Sequence, residues 1–251
     1  MASDPDIRIT LIGTGTIGLS FAAFHLTHLA SPSQLTIYDT RPNLSQYIQD
    51  ELPKFFPPST TSSSHADTIT TTTPSPSSSS SISPSPILAK IALINLATSI
   101  PTAVATATII QESGPENLPF KISLWREIET FAHPTALLWS STSGLPASLQ
   151  NAQMHDPSRL LVVHPYNPPH IMPLLELVPS FRTSFEVLER TRQFWSARGK
   201  KCVLLKKEVT GFVANRLAFA LLREAISLVG EGVVGVGEVD EIVEGSMGPR
   251  W

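Results

Sequence analysis

The stretch from Ile7 to Asp39 restricts the possible folds more than any other part of the chain. It opens with "IRITLIG", a β-branched apolar run ending on glycine, which reads as a buried strand. "TIGLSFAAFHLTHLA" follows, with Ile17, Phe21, Phe24 and Leu29 at helical spacing. "QLTIYD", Gln34 to Asp39, is a second short strand. Strand, helix and strand in that order make a βαβ unit, whose second strand should lie parallel to the first.

The turn between first strand and helix is "GTGTIG", with Gly13, Gly15 and Gly18 at the spacing of a dinucleotide fingerprint. The first glycine permits a tight turn, the second lets backbone approach a pyrophosphate, and the third lets helix pack on strand. The helix start at Thr16 and Ile17 then offers free N–H groups and partial positive charge to phosphates. Three spaced glycines alone often mark only a turn, but here the motif follows a strand and opens a helix. Asp39 ends the second strand, where a carboxylate accepts hydrogen bonds from the adenosine ribose and repels a 2′-phosphate. That favours NAD over NADP, with Arg41 nearby as the one feature pulling the other way.

From Pro57 to Pro86, 25 of 30 residues are serine, threonine or proline. Such a tract buries too little apolar surface to offset its ordering entropy and reads as a disordered insert. Beyond it, "KIALIN" reads as a strand, "SIPTAVATA" as a short helix and "TIIQE" as a strand. "ENLPFKISLWREIETFA" is an amphipathic helix with Leu118, Ile122, Trp125 and Ile128 on one face. "TALLWSS", "RLLVVHP", "PLLELVP" and "KKCVLLK" are further strands, and "SFEVLERTRQFWSARG" is a helix with Gly199 as its C′ residue. The end of the chain is helical, beginning with a long helix from Gly211 to Gly230 capped by Thr210. The fold class is therefore α/β: a Rossmann-type, mostly parallel sheet over residues 1–206, then an α-helical domain over 207–251.

Charge and cysteine content exclude several function classes. A net charge of -3 leaves no basic footprint for nucleic acid. One cysteine, Cys202, rules out an intramolecular disulfide or a thiolate cluster, and it reads as a small buried apolar residue. The histidines show no metal-ligand spacing, so no metal is expected. No uncharged run is long enough for a membrane helix, and "MASDPDIRIT" has no apolar signal region, so the default is a cytoplasmic protein.

"HPYNPPHIMPLLELVP" holds the chemistry. His164 stands twelve residues before Glu176, a lone carboxylate in an apolar strand. Burying it is costly without a partner, although strand alternation would also allow Glu176 to face water. Oxidising a secondary alcohol requires a base for the hydroxyl proton while hydride leaves for a nicotinamide. Histidine suits that near neutral pH, and a carboxylate on its other nitrogen would set the tautomer and stabilise the imidazolium.

"QESGPENLPFK", "SSTSGL", "HPYNPP…LLELVP" and "GFVANR" occur in this order. With them the chain resembles the L-3-hydroxyacyl-CoA dehydrogenase superfamily, most of all its lambda-crystallin and L-gulonate 3-dehydrogenase branch, with carnitine 3-dehydrogenase a near cousin. The resemblance implies that His164 and Glu176 are the catalytic dyad. It implies that Ser143 and Asn215 hydrogen-bond the reacting oxygen, and that Glu116 and Lys121 lie near the nicotinamide ribose. Without it, Ser143 is a turn serine, Asn215 an ordinary helix residue, and Glu116 and Lys121 a solvated pair on one helix. Asn167 shapes the turn after the histidine and orients the site.

The implied activity is NAD-dependent oxidation of a 3-hydroxy acid, with an L-gulonate-like small acid favoured and an acyl-CoA substrate as the alternative. A non-catalytic, crystallin-like NAD-binding role is the rival from another class. Relatives carry more helices between the second and third strands, where at most one short helix is expected here. They also continue beyond "GSMGPRW", so the helical domain is expected to be truncated. The long helix from Gly211 to Gly230 is apolar over more than one face, so the chain is expected to self-associate as a homodimer through its C-terminal helices, or to be marginally stable and poorly active alone.

Overall fold

The computed structural model describes residues 6–57 and 86–248, so most of the Ser/Thr/Pro tract expected to be disordered lies outside the described residues. In chain order the elements begin with β1 (Ile9–Ile12), α1 (Thr16–His28), β2 (Leu35–Tyr38), α2 (Leu44–Glu51), α3 (Pro86–Ile91) and β3 (Asn95–Leu96). Next come α4 (Ile100–Val104), β4 (Ile109–Glu112), α5 (Leu118–Phe131), β5 (Leu137–Ser140), α6 (Ala147–Gln150) and β6 (Leu160–Pro165). The chain continues through β7 (Leu174–Pro179), α7 (Phe185–Ser196), β8 (Lys201–Leu204), α8 (Ala214–Gly230) and α9 (Val236–Gly245).

Among the described residues the strands form one sheet in the order β3-β2-β1-β4-β5-β6-β7-β8. Every pairing is parallel except β6 with β7, which is antiparallel. The βαβ expectation for the first 39 residues holds, with Ile9 opposite Leu35 and Ile12 opposite Tyr38. Strand order reverses between β1 and β4, and a crevice opens there at the carboxyl ends of the strands, where α/β sheets bind ligands.

Alternate strand residues feed two cores, one on each face. Ile9, Leu11, Ile109 and Trp139 pack with Phe21, Phe24 and Trp195 on the α1 and α7 side. Ile12, Ile110 and Leu138 pack with Trp125 and Ile128 on the α4 and α5 side. Helix starts follow local chemistry. Ser99 accepts the Thr102 amide to cap α4, Asn117 the Phe120 amide for α5, and Ser184 the Val187 amide for α7.

Several expectations need correction. "KIALIN" is not a strand: Lys90 and Ile91 close α3, and only Asn95 and Leu96 pair with β2. Ile87, Ile91 and Ile94 recur at helical spacing, and the last two are buried, so the short apolar run served a helix and a turn. Among the described residues two α-helices, not one, and a short 3-10 helix (Leu52–Phe55) stand between β2 and β3. The buried face of α5 is Lys121, Leu124, Trp125 and Ile128, while Leu118 and Ile122 are half-buried. Helix α7 runs to Ser196 with Ala197 as its C-cap, and Gly199 lies two residues beyond the cap at φ 81°, not at C′. Helix α8 begins at Ala214, and Thr210 does not cap it, because Gly211 and Phe212 turn the chain at φ 77° and 50° first. Cys202 is half-buried rather than buried. Among the described residues no helix is long and apolar enough to cross a membrane.

Candidate active site

The glycine loop is shaped for a phosphate ligand. Gly13 adopts φ +93°, and a Cβ there would meet the Ser113 carbonyl oxygen at 2.8 Å. A Cβ on Gly18 would fall 2.0 Å from the Gly13 oxygen. Nothing lies within 4 Å of the corresponding point on Gly15, so that flank is open to a ligand. Helix α1 starts at Thr16 with no side-chain cap, leaving its first-turn N–H groups, those of Thr16 and Ile17 included, to an incoming anion. A pocket of ≈ 400 Å³ lies over Gly13, Thr14, Gly15, Asp39 and Ser113, next to another of ≈ 280 Å³ walled by Tyr38, Ile100 and Phe120. Together these suit a dinucleotide.

Asp39 stands at this crevice with both oxygens engaged. Oδ2 accepts the Thr14 amide and hydroxyl, each at 2.7 Å, and Oδ1 accepts the Arg41 amide at 2.9 Å and Nε at 3.3 Å. Partial burial works against the charged carboxyl. The Thr14 hydroxyl, the Arg41 and Thr14 amides and the Arg41 charge outweigh it and hold the group below the usual aspartate range. The Arg41 guanidinium lies 3.6 Å over the Tyr47 ring.

His164 and Glu176 meet in the antiparallel pair β6–β7. His164 Nδ1 lies 2.7 Å from Glu176 Oε2, and the two residues are 4% and 3% exposed. The alternative of Glu176 facing water is thereby excluded. The other oxygen, Oε1, accepts the Val213 and Ala214 amides at 3.0 Å each. Burial raises the Glu176 pKa, but the His164 bond and these two amides lower it further, and the carboxyl rests below its ordinary range. An ionised carboxylate only accepts, so Nδ1 carries the proton and Nε2 is left as the basic nitrogen. Phe212 tilts against the imidazole at 5.1 Å between ring centroids. Its φ of 50° is strained for an aromatic residue, by about 1–2 kcal/mol. Complete burial of its ring offsets this.

The remaining expected residues divide. Asn215 donates Nδ2 to the Ser143 carbonyl at 2.9 Å, which joins α8 to the loop after β5. Glu116 precedes α5 rather than lying on it, and its Oε1 accepts the Ser143 amide at 3.1 Å, the Gly144 amide at 3.0 Å and the Thr142 hydroxyl. Lys121 is fully buried, with Nζ 2.6 and 2.8 Å from the two oxygens of Glu112 and 4.0 Å from Glu116. Glu116 and Lys121 are thus no solvated helical pair. Asn167 sits in an exposed turn whose bond to Pro168 is cis.

Glu112, Thr14, Thr142 and Phe212 went unrecognised in the sequence. For Glu112 a signal existed: it is a carboxylate ending an apolar strand, the same anomaly that exposes Glu176. Among the described residues no cluster of histidine, cysteine or carboxylates could hold a metal ion.

Known proteins share this architecture. The 3-hydroxyacyl-CoA dehydrogenase NAD-binding domain matches residues 8–209, and the C-terminal domain of the same family matches 211–251. A protein of Gibberella moniliformis named 3-hydroxyacyl-CoA dehydrogenase is 42% identical over 154 residues, covering 61% of this chain and 48% of that one. An L-carnitine dehydrogenase of Pseudomonas putida is 41% identical over 159 residues, covering 63% and 49%. The chain therefore spans about half the length of these relatives. Among solved structures, an NAD+-dependent dismutase, 5-formyl-3-hydroxy-2-methylpyridine 4-carboxylic acid 5-dehydrogenase, superposes with a TM-score of 0.75 at 27% identity, covering 97% of this chain and 72% of that one. A 3-hydroxyacyl-CoA dehydrogenase of Archaeoglobus fulgidus shares the fold with a TM-score of 0.72 at 24% identity, covering 95% and 68%. The glycine loop, the sheet order and the domain matches lead to one assignment: the chain belongs to the 3-hydroxyacyl-CoA dehydrogenase family, with the family's NAD-binding domain followed by residues of its C-terminal domain.

Proposed function

We propose that this protein oxidises the 3-hydroxyl group of a small 3-hydroxy acid, with His164 as the base. The observation that carries the reading is the 2.7 Å contact between His164 Nδ1 and Glu176 Oε2 in a buried strand pair. With Nδ1 committed to Glu176, Nε2 takes the proton from the substrate hydroxyl. Glu176, itself fixed by the Val213 and Ala214 amides, stabilises the imidazolium that results. NAD would be held at the glycine loop and, when bound, would accept the hydride that leaves the carbon bearing the hydroxyl.

Ser143 and Asn215 flank the reacting oxygen in this reading, and the support is that Asn215 ties the Ser143 backbone to the start of α8. Glu116 shapes the Ser143 loop beside the nicotinamide ribose, and Lys121 acts there through its contacts with Glu112 and Glu116. Asn167 sets the turn that follows the histidine. Residues 1–206 form the NAD-binding unit in this reading, and 207–251 begin the helical substrate and dimerisation domain.

The small-acid reading draws on relatives named L-carnitine dehydrogenase, and it takes in L-gulonate as an acid of the same class. An acyl-CoA thioester is the second reading, favoured by the Gibberella moniliformis relative. NADH formation with L-carnitine, L-gulonate and a series of 3-hydroxyacyl-CoA thioesters tests both. A higher kcat/KM for a thioester would replace the first reading with the second, and turnover of none would end both.

A further inference from the structure

The loop closing the β6–β7 hairpin, residues 166–173, is fastened to elements that carry none of the proposed catalytic groups. Ser20, fully buried on α1, has its hydroxyl 2.7 Å from His170 Nδ1 and accepts the His170 amide at 2.9 Å. Phe55 meets the His170 ring edge-on at 5.3 Å between centroids. Lys200, 7% exposed, also holds the loop, donating Nζ to the Pro169 carbonyl and to the Met172 carbonyl, the latter at 2.8 Å. The same ammonium lies 4.4 Å over the ring of Phe24, which stands one helical turn beyond Ser20 on α1.

A buried ammonium is costly unless its protons are accepted. Burial brings the Lys200 pKa down to about 8, with Cys202 opposing the shift, and the ammonium's N–H groups are taken up by the loop carbonyls. The anchorage matters because the loop joins the strands that bear His164 and Glu176. Its length and path decide which residue of β7 faces His164, and a slip of one residue would turn Glu176 to the opposite face. Ser20 and Phe24 also belong to the helix whose first turn forms the dinucleotide site.

We propose that Lys200 and Ser20 are positioning residues of the dehydrogenase reaction, fastening the His164–Glu176 hairpin to α1 so that the base keeps its place relative to a dinucleotide bound at that helix. This rests on the dyad and cofactor reading given above.

Deuterium exchange with and without NADH reads the clamp independently of turnover, and steady-state kinetics reads its consequence. In Ser20→Ala and Lys200→Met, amides of 166–173 exchange faster than in the wild type, while β1, β4 and β5 are unchanged. NADH slows exchange of the loop in the wild type and not in the variants. Turnover falls by up to about 10²-fold, the cost of a misplaced group, while KM and the Kd for NADH hold. Lys200→Arg, which keeps the charge and the donors, recovers most of kcat. Loop exchange unchanged in both variants, or a loosened loop with wild-type kcat, would overturn the proposal. If the wild type turns over no 3-hydroxy substrate, the dyad reading falls by itself. The NADH-dependent protection then decides the clamp: its loss in Ser20→Ala upholds it, and its persistence there removes it. If Lys200→Met fails to fold, Ser20→Ala carries the same comparison.

Discussion

His164 and Glu176 are Cα partners across the β6–β7 pair, and their side chains meet at 2.7 Å on one face of the sheet. Antiparallel partners share a face, so the twelve-residue separation in sequence becomes a direct contact. Glu176→Gln offers an amide in place of an obligate acceptor and can set the wrong tautomer, so kcat should fall by up to about 10⁴-fold, as in protease triads. His164→Ala should abolish turnover with NADH affinity intact. Near-normal kcat in Glu176→Gln would remove the dyad from the mechanism.

Asp39 presents a carboxylate to the cofactor crevice, with Arg41 held against it. Fluorescence titration should show NADH binding more tightly than NADPH. Asp39→Ala removes the repulsion and frees Arg41 for a 2′-phosphate, so the gap should narrow. Equal binding of both cofactors by the wild type would refute this account of selectivity.

Lys121 neutralises Glu112 deep in the sheet, where neither side chain is more than 1% exposed. Lys121→Met leaves a buried carboxylate without its cation, a loss of about 3–5 kcal/mol by chemical denaturation. The double variant Lys121→Met, Glu112→Gln should regain part of that. A loss below about 1 kcal/mol, the worth of an exposed pair, would show that the pair is not isolated from solvent.

His25 sits fully buried among Phe21, Phe24 and Trp195, and its pKa is lowered from 6.5 to about 3. Burial is the main cause, with the Gln111 hydrogen bond opposing it and nearby positive charges adding to it. Between those values the unfolded chain binds a proton that the folded chain refuses. Stability is therefore retained above pH 6.5 and falls as pH drops towards 3, by about 1.4 kcal/mol per unit. Unfolding of the wild type and of His25→Gln across about pH 5.5 to 4.5 should differ in slope by close to one proton. Identical slopes would mean that His25 already titrates in the folded state.

Helices α8 and α9 bury none of their residues, and Leu217, Phe219, Leu222 and Ile226 are each more than half exposed. Apolar surface on this scale marks an interface or an aggregation liability. Light scattering over a concentration series should show self-association, and Phe219→Lys with Ile226→Lys should suppress it. A monodisperse wild-type monomer at every concentration would contradict the homodimer reading.

The parts of the fold and site that could be read in the sequence are those encoded within a few neighbouring residues. "GTGTIG" between two apolar runs specified the first βαβ unit, because tight turns, helix starts and strand alternation are local properties. Glu176 stood out because a carboxylate in an apolar strand demands a partner. "KIALIN" misled for the same local reason, since a short apolar run suits a strand or a helix until its neighbours choose.

Tertiary structure decided what depends on residues far apart. Val213 and Ala214 reach Glu176 across 37 and 38 positions, and His170 finds Ser20 across 150. It alone showed that Lys121 turns inward to Glu112, that Phe212 packs on the imidazole, and that α8 starts three residues after Gly211. None of this has a periodicity or a short motif to announce it. Such contacts arise only when buried charges and amides, brought together by sheet order and hairpin register, must find partners away from water.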